Sequence, residues 1–290
     1  MIDLHFHSQY SDGKLNIKEI ADNLVESGIK YCSLTDHDTV DGLKKMGKVL
    51  ENTNINFIPG VEMTALYNNN EIHVLFYDFD IDKAINIFKK RNELVKKQRI
   101  KELKTAVRLF KKQGFLVSKS LRPVAKKQTG LTVALDVYNK KENKDLLIKK
   151  HGHILNEEEF YNSYQSNGSP CCVPKSGVSI EWIIKQFTPL TKNIILAHPF
   201  VPVSFTIKAL KKEDIVELLN IGITGIEVYH DRNTTEQIKF LEKFVAKNNL
   251  LYTGGSDSHF KEKNTPVGYY NNKRKVPSFR LCGVSYKIKK

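Results

Sequence analysis

The sequence predicts an α/β fold with parallel strand pairing, and three observations carry that prediction. Short apolar runs of strand length alternate with segments whose apolar residues recur at helical spacing. Polar clusters follow the carboxyl ends of several of these runs, where parallel sheets place their functional groups. Six of the nine histidines fall in or beside those clusters.

Ile2 to Phe6 reads as a short buried strand, and Asp3-Leu4-His5-Phe6-His7-Ser8 runs on to Ser11-Asp12-Gly13. Side chains two apart on a strand share a face, so His5 and His7 project together. Asn16 can cap a helix from Ile17 to Ser27, whose apolar positions are Ile17, Ile20, Ala21, Leu24 and Val25. Gly28 ends it, where a left-handed residue costs little. Ile29 to Leu34 is the next strand and delivers Thr35-Asp36-His37-Asp38. A helix over Val40 to Leu50 precedes a short strand, Asn56 to Ile58, which ends in Pro59-Gly60-Val61-Glu62. Glu71 to Phe79 is a further strand and carries His73.

The pattern then changes. Asp82 to about Gly114 is helical, with Leu94, Ile100, Leu103, Val107 and Phe110 on one side and lysines on the other. Residues 115 to 175 show no strand–helix alternation, and Asn156 with Glu159 forms a capping signal for a helix through Ser163. Alternation resumes with a helix over Ser179 to Phe187 and a strand, Asn193 to Ala197, ending in His198-Pro199. A helix around Asp214 to Asn220 stops at Gly222, and the strand Gly225 to Tyr229 contains Glu227 and is followed by His230. A helix over Thr234 to Asn248 leads into the strand Leu250 to Gly254, which ends in Gly255-Ser256-Asp257-Ser258-His259. The tail from Lys261 is basic and irregular, with a last strand expected near Leu281 to Tyr286. The expected division is 1–84, a helical insertion over 85–175, and 176–290.

The totals bound the function classes. No apolar run approaches the roughly 20 residues a membrane helix needs. The first motif begins at residue 3 with no leader ahead of it, so a cytoplasmic location is expected, and separately a monomer. Cys32, Cys171, Cys172 and Cys282 lack zinc-knuckle spacing and read as incidental or structural thiols. A net charge of +14 suits anionic substrates, including phosphates and nucleic acid. A solvated lysine face accounts for that charge equally well.

Collected, the polar residues at or near strand ends are His5, His7, Asp12, His37, Glu62, His73, His198, Asp257 and His259. Imidazoles and carboxylates gathered in this way form a metal-ligand set. His151 and His153 have the His-x-His spacing without an accompanying carboxylate motif and read as loop residues.

These segments resemble the signatures of the polymerase-and-histidinol-phosphatase (PHP) superfamily: Asp-Leu-His-x-His-Ser with Ser-Asp-Gly, Thr-Asp-His-Asp, a strand-end His-Pro, and Ser-Asp-x-His. The resemblance spans residues 1 to 80 and 190 to 260. It implies a distorted (β/α)7 barrel with a mostly helical insertion and three divalent metals. By that resemblance His5, His7, Glu62 and Asp257 would hold one metal. Glu62 would bridge to a second with His73 and His198. Asp12, His37 and His259 would hold a third. The mixed donor set suits manganese, with iron or zinc as alternatives.

Metals so held would acidify a bridging water, so the expected nucleophile is a metal-activated hydroxide and no side chain beyond the ligands is catalytic. Asp3 and Asp36 are expected to orient ligating imidazoles from behind. Asp38 reads either in that role or as a helix cap, and Glu227 either so or as a simple sheet-end carboxylate.

The layout is most similar to a branch whose members include phosphatases of nucleoside 3',5'-bisphosphates and 5'-to-3' exonucleases on short RNA. The expected activity is hydrolysis of nucleotide phosphomonoesters. A histidinol-phosphatase-like enzyme and a nucleic-acid-binding module are the alternatives. Arg99 and Arg122 are candidate substrate contacts supplied by the insertion, each balanced against a solvated charge. His230 is a third candidate, balanced against a surface histidine. Two departures bear on substrate identity. The Arg-x-His-x-Ala-like stretch is not clear in Leu121 to Val137, and Phe200 follows His198-Pro199.

Overall fold

The structure is a computed structural model that describes every residue except 69, 124–128, 167, 174, 203–208, 261–265, 272–273 and 288–290. The start of the expected irregular tail, 261–265, therefore lies outside the described residues. In chain order the strands are β1 (Ile2–Phe6), β2 (Tyr31–Leu34), β3 (Asn56–Phe57), β4 (Gly60–Tyr67), β5 (Asn70–Tyr77), β6 (Asn193–Leu196), β7 (Gly225–His230), β8 (Leu251–Gly255), β9 (Tyr269–Tyr270), β10 (Arg274–Lys275), β11 (Ser278–Arg280) and β12 (Ser285–Lys287). The helices are α1 (Ile17–Glu26), α2 (Leu43–Leu50), α3 (Ile81–Lys112), α4 (Thr129–Asn139), α5 (Lys144–His151), α6 (Glu157–Tyr164), α7 (Ile180–Phe187), α8 (Lys212–Ile221) and α9 (Thr235–Lys247). No helix among the described residues is long and apolar enough to cross a membrane.

The chain divides into two compact units, residues 1–89 with 179–290, and residues 90–178. The first unit is α/β. β1, β2 and β3 form a parallel three-stranded sheet. A seven-stranded sheet runs β12-β11-β8-β7-β6-β5-β4, and β9 pairs with β10.

The sheets are open, which corrects the expected (β/α)7 barrel. Among the described residues only single bridges link the two larger sheets: Phe6 with Ser258 beyond β8, and His37 beyond β2 with Glu62. The reason is local. Asp257 (φ 51°) and Asp38 (φ 55°) leave the extended region immediately beside those bridges, so neither ladder can propagate.

Two further differences follow from strand direction. β4 and β5 are an antiparallel hairpin, whereas the sequence reading has a strand over Glu71 to Phe79 but none over Gly60 to Tyr67. Asn68, at φ 46°, lies where the chain reverses after β4. The expected last strand over Leu281 to Tyr286 is instead the second half of an antiparallel pair, β11 with β12, and its first residues form the turn.

The core of this unit follows from the apolar runs. β1 is buried at all five positions, and Phe76 stacks on Phe187 with ring centroids 4.1 Å apart. Each such buried side chain contributes roughly 1.5–3 kcal/mol of transfer free energy. The Tyr77 hydroxyl, fully buried, donates to the Leu4 carbonyl at 2.8 Å. α1 begins as expected: Asn16 accepts from the Glu19 N–H while the Glu19 side chain accepts from the Asn16 N–H.

The second unit is helical, and no strand occurs among its described residues. Its core gathers Phe110, Phe115, Val133, Val137, Phe160 and Tyr164. Buried Asn143 ties it together, donating to the Leu116 and Val137 carbonyls and accepting from the Leu116 N–H. The Asn156–Glu159 capping box starts α6.

Candidate metal centre

Local structure brings the strand-end residues of the first unit together. His5 lies on β1 and His7 follows it. Both rings are fully buried, with centroids 5.3 Å apart. Glu62 sits within β4 and is fully buried. His73 lies in the first half of β5, not at a carboxyl end. Its position makes sense because β5 runs antiparallel to β6. The start of β5 therefore meets the end of β6, where the Ala197 N–H donates to the His73 carbonyl. His198 follows β6 at φ 25° and Asp257 follows β8 at φ 51°. Two non-glycine residues held in the left-handed region at one site mark strain that the surroundings enforce.

Five imidazoles surround the two oxygens of Glu62. His5 Nε2, His7 Nε2 and His37 Nδ1 approach Oε2 at 3.2, 3.2 and 3.1 Å. His73 Nδ1 and His198 Nε2 approach Oε1 at 2.9 and 3.0 Å. Asp257 Oδ1 lies 3.1 Å from His7 Nε2 and 3.4 Å from His5 Nε2. On the outer side, Asp12 meets His259 Nε2 at 3.2 Å and His37 Nε2 at 3.9 Å. Three groups of donor atoms result: His5, His7, Glu62 and Asp257; His37, Glu62 and His73; and His7, Asp12, His37 and His259. The first coincides with the set implied by the resemblance. In the others His37 and His7 are shared between groups.

The donor set fits divalent cations on the structure's own terms. Buried His7 Nδ1, His37 Nδ1 and His73 Nδ1 make no hydrogen bond, although the last two lie close to Glu62. His5 Nδ1 donates to Glu227 Oε1 at 2.8 Å, so a neutral His5 presents a lone pair from Nε2 toward Glu62 and Asp257. Acceptor then faces acceptor, and only a cation, whether proton or metal, reconciles them. Clusters suited to metal coordination are thus present.

Electrostatics respond in kind. Burial opposes charge on His7 and His73, but neighbouring carboxylates override it and hold them up at about 9 and about 10. His37, buried and beside other imidazoles, drops to about 3 despite Glu62. Burial pushes Glu62 and Asp257 up, yet the surrounding histidines hold both well below the carboxylate range.

The residues behind the cluster differ from expectation. Asp3 accepts backbone N–H groups from His5, Ser256 and Gly268, and burial pushes its carboxyl up to about 6. Asp36 accepts from the Ser8 N–H and hydroxyl and from the Ser11 hydroxyl, pinning the loop after β1. Asp38 accepts the Thr64 N–H. Glu227 is the carboxylate that orients an imidazole, and its other oxygen accepts the His198 N–H at 3.0 Å.

His230 is fully buried, not a surface residue. Its Nδ1 accepts from the Arg232 N–H, so Nε2 carries the proton and donates to Asp257 Oδ2 at 3.2 Å. Arg232, half exposed, extends to 3.6 Å from the same oxygen and had no sequence signal beyond its place after β7. Arg99 and Arg122 belong to the second unit. Arg99 is half-buried, and Arg122 is exposed and donates to the Leu121 carbonyl. His151 ends α5 and meets the Tyr164 hydroxyl at 2.8 Å, and His153 is exposed.

Residues 3–108 match the family model of the PHP domain. A 5'-3' exoribonuclease of Haemophilus influenzae is 26% identical over 89% of this chain and 89% of its own length. A 3',5'-nucleoside bisphosphate phosphatase of Chromobacterium violaceum is 22% identical over 89% and 87%. Among solved structures, a Bifidobacterium adolescentis protein designated a metal-dependent phosphoesterase superposes with a TM-score of 0.60 at 22% identity, covering 91% of this chain and 90% of that one. An amidohydrolase from Chromobacterium violaceum gives 0.58 at 20% identity, over 91% and 89%. Residues 3–108 thus carry a match to the PHP domain, and the open α/β sheets with their clustered histidines and carboxylates share the fold of the Bifidobacterium adolescentis protein.

Proposed function

We propose that the protein hydrolyses nucleotide phosphomonoesters, either a nucleoside 3',5'-bisphosphate or the 5' end of short RNA. The observation that carries this reading is the crowding of five imidazoles on one buried carboxylate, Glu62. We assign His5, His7, Asp12, His37, Glu62, His73, His198, Asp257 and His259 as the ligands of up to three divalent cations, with manganese preferred. When bound, such cations supply acidified water and offset charge on phosphoryl oxygens. The chain's own groups prepare the site. Glu227 fixes the His5 ring so that Nε2 faces inward, and His230 fixes Asp257. The buried ring cluster excludes bulk water, which strengthens the field at a phosphate. The exposed Arg232 guanidinium is placed to meet a substrate anion near Asp257. Nucleotide chemistry is supported by what the Haemophilus influenzae and Chromobacterium violaceum relatives act on.

Purified protein with manganese is expected to release phosphate from a nucleoside 3',5'-bisphosphate, and a chelator is expected to abolish release. Faster turnover of histidinol phosphate would replace the nucleotide substrate. No turnover of any phosphoester by metal-loaded protein would overturn the reading.

A further inference from the structure

The net charge is not spread evenly. Residues 90–178 hold 20 of the 46 Lys and Arg but only 8 of the 32 Asp and Glu, so this unit carries +12 of the +14. The rest of the chain is close to neutral. A lysine-rich composition would raise both units alike, so composition alone does not explain the difference.

Much of the excess lies along α3. Successive side chains three or four apart share a helix face. Lys90, Lys97, Lys101, Lys104, Arg108 and Lys111 occupy one such face, and all six are exposed. At 1.5 Å per residue they extend over about 31 Å. Among the described residues none of the six has an ion-pair partner. Exposed Glu93 lies beside Lys90 and Lys97 at one end of the stripe without an ion pair to either, and Glu102 is buried on the other side of the helix, where it accepts from the Gly130 N–H and the Ser176 hydroxyl. A shallow groove of 330 Å³ follows the middle of this face, with Ile100 and Thr105 at its edges. Like charges at this spacing repel and destabilise the helix in isolation. A counter-charge with the same linear extent would relieve that repulsion.

We propose that this face of α3 docks the phosphodiester backbone of a single-stranded nucleic acid, held by charge and not by base readout. A strand offers regularly spaced anions along a line, which is what a one-helix stripe can meet. An anionic membrane suits it less well. A surface-lying helix inserts its apolar face, and here Ala106 and Phe110, opposite the stripe, are fully buried in the unit's own core. The inference goes beyond phosphomonoester hydrolysis and stands without it.

The test is binding of a short single-stranded RNA, followed by anisotropy in chelator, across a salt series. Wild-type protein is expected to bind with an affinity that falls steeply with salt. The fourfold variant Lys97→Gln, Lys101→Gln, Lys104→Gln, Arg108→Gln retains good helix formers at exposed positions. It is expected to lose at least tenfold in affinity at low salt, and its log–log salt slope should flatten by about 3, at about 0.7 per phosphate contact. The matching Lys→Arg variant should keep binding. A control, Lys18→Gln, Lys44→Gln, Lys48→Gln, Lys243→Gln, removes equal charge from the first unit and should bind as wild type. Equal losses in the two Gln variants, unchanged binding in the α3 variant, or binding to phosphatidylserine vesicles but not to RNA would overturn the proposal. Turnover of a nucleoside bisphosphate is read in parallel and should be the same in all variants. Retained RNA binding by protein that hydrolyses no phosphomonoester would sink the preceding reading and support this one.

Discussion

Glu62 organises the site at the scale of single residues, because both of its oxygens are shared among imidazoles from four different parts of the chain. Glu62→Gln should leave a folded protein that no longer retains metal, measured by elemental analysis after desalting. Glu227→Ala tests a different role. It removes no proposed ligand but frees the His5 ring, and losing such a partner typically costs 10–100-fold in metal affinity or activity. Metal titration should show weakened binding with the fold intact by circular dichroism, and unchanged affinity would remove Glu227 from the account. The thiols give a further check. Burial pushes Cys32 and Cys171 up, the latter to about 11, while Cys282 is exposed. A thiol reagent at pH 8 should label Cys282 first and reach Cys32 only after denaturation. The motif residues were legible in sequence because two-residue alternation and strand-end position are local properties. The roles of Glu227 and His230 were not. Each depends on which ring or carboxylate it meets across the fold, 222 residues away for Glu227 and His5.

At the scale of elements, glycine placement decides how closely strands approach. A methyl group on Gly255 would overlap the His5 backbone nitrogen and Cβ, so β8 can lie against β1 only with glycine there. Gly255→Ala should lower thermal stability and weaken metal binding together, because it displaces the strand that carries His5 and the turn that carries Asp257. A change in neither would show that the two segments tolerate separation. Asn16→Ala, which removes the capping box of α1 far from the cluster, should cost about 1 kcal/mol in denaturant unfolding and leave metal binding alone. The helices and their caps could be read from sequence since periodicity and capping residues act locally. The β4–β5 hairpin could not, because Glu62 to Tyr77 presents one long run of apolar and polar residues whose reversal rests on a short asparagine-rich turn. Expecting strand–helix alternation throughout forced parallel pairing where β5 is antiparallel to both neighbours.

For the whole molecule, the open sheets and the buried donor cluster belong to one description. Ladders stop where Asp38 and Asp257 turn out of the extended region, and those turns lie at the site's edge. That the sheets stay open was not legible in sequence, since a single left-handed residue beside a bridge ends a ladder without leaving a strong local signal. A fold that gathers carboxylates and imidazole nitrogens in one buried cluster should gain stability from cations. At a metal concentration 100 times the dissociation constant the gain is about 2.7 kcal/mol, seen as a rise in melting temperature that a chelator reverses. The most direct test of the central claim is anomalous scattering from crystals grown with manganese, collected near the manganese edge. The account predicts peaks bounded by Glu62, Asp257 and Asp12 and their histidines. Manganese bound elsewhere in the crystal, with no peak beside Glu62, would contradict it.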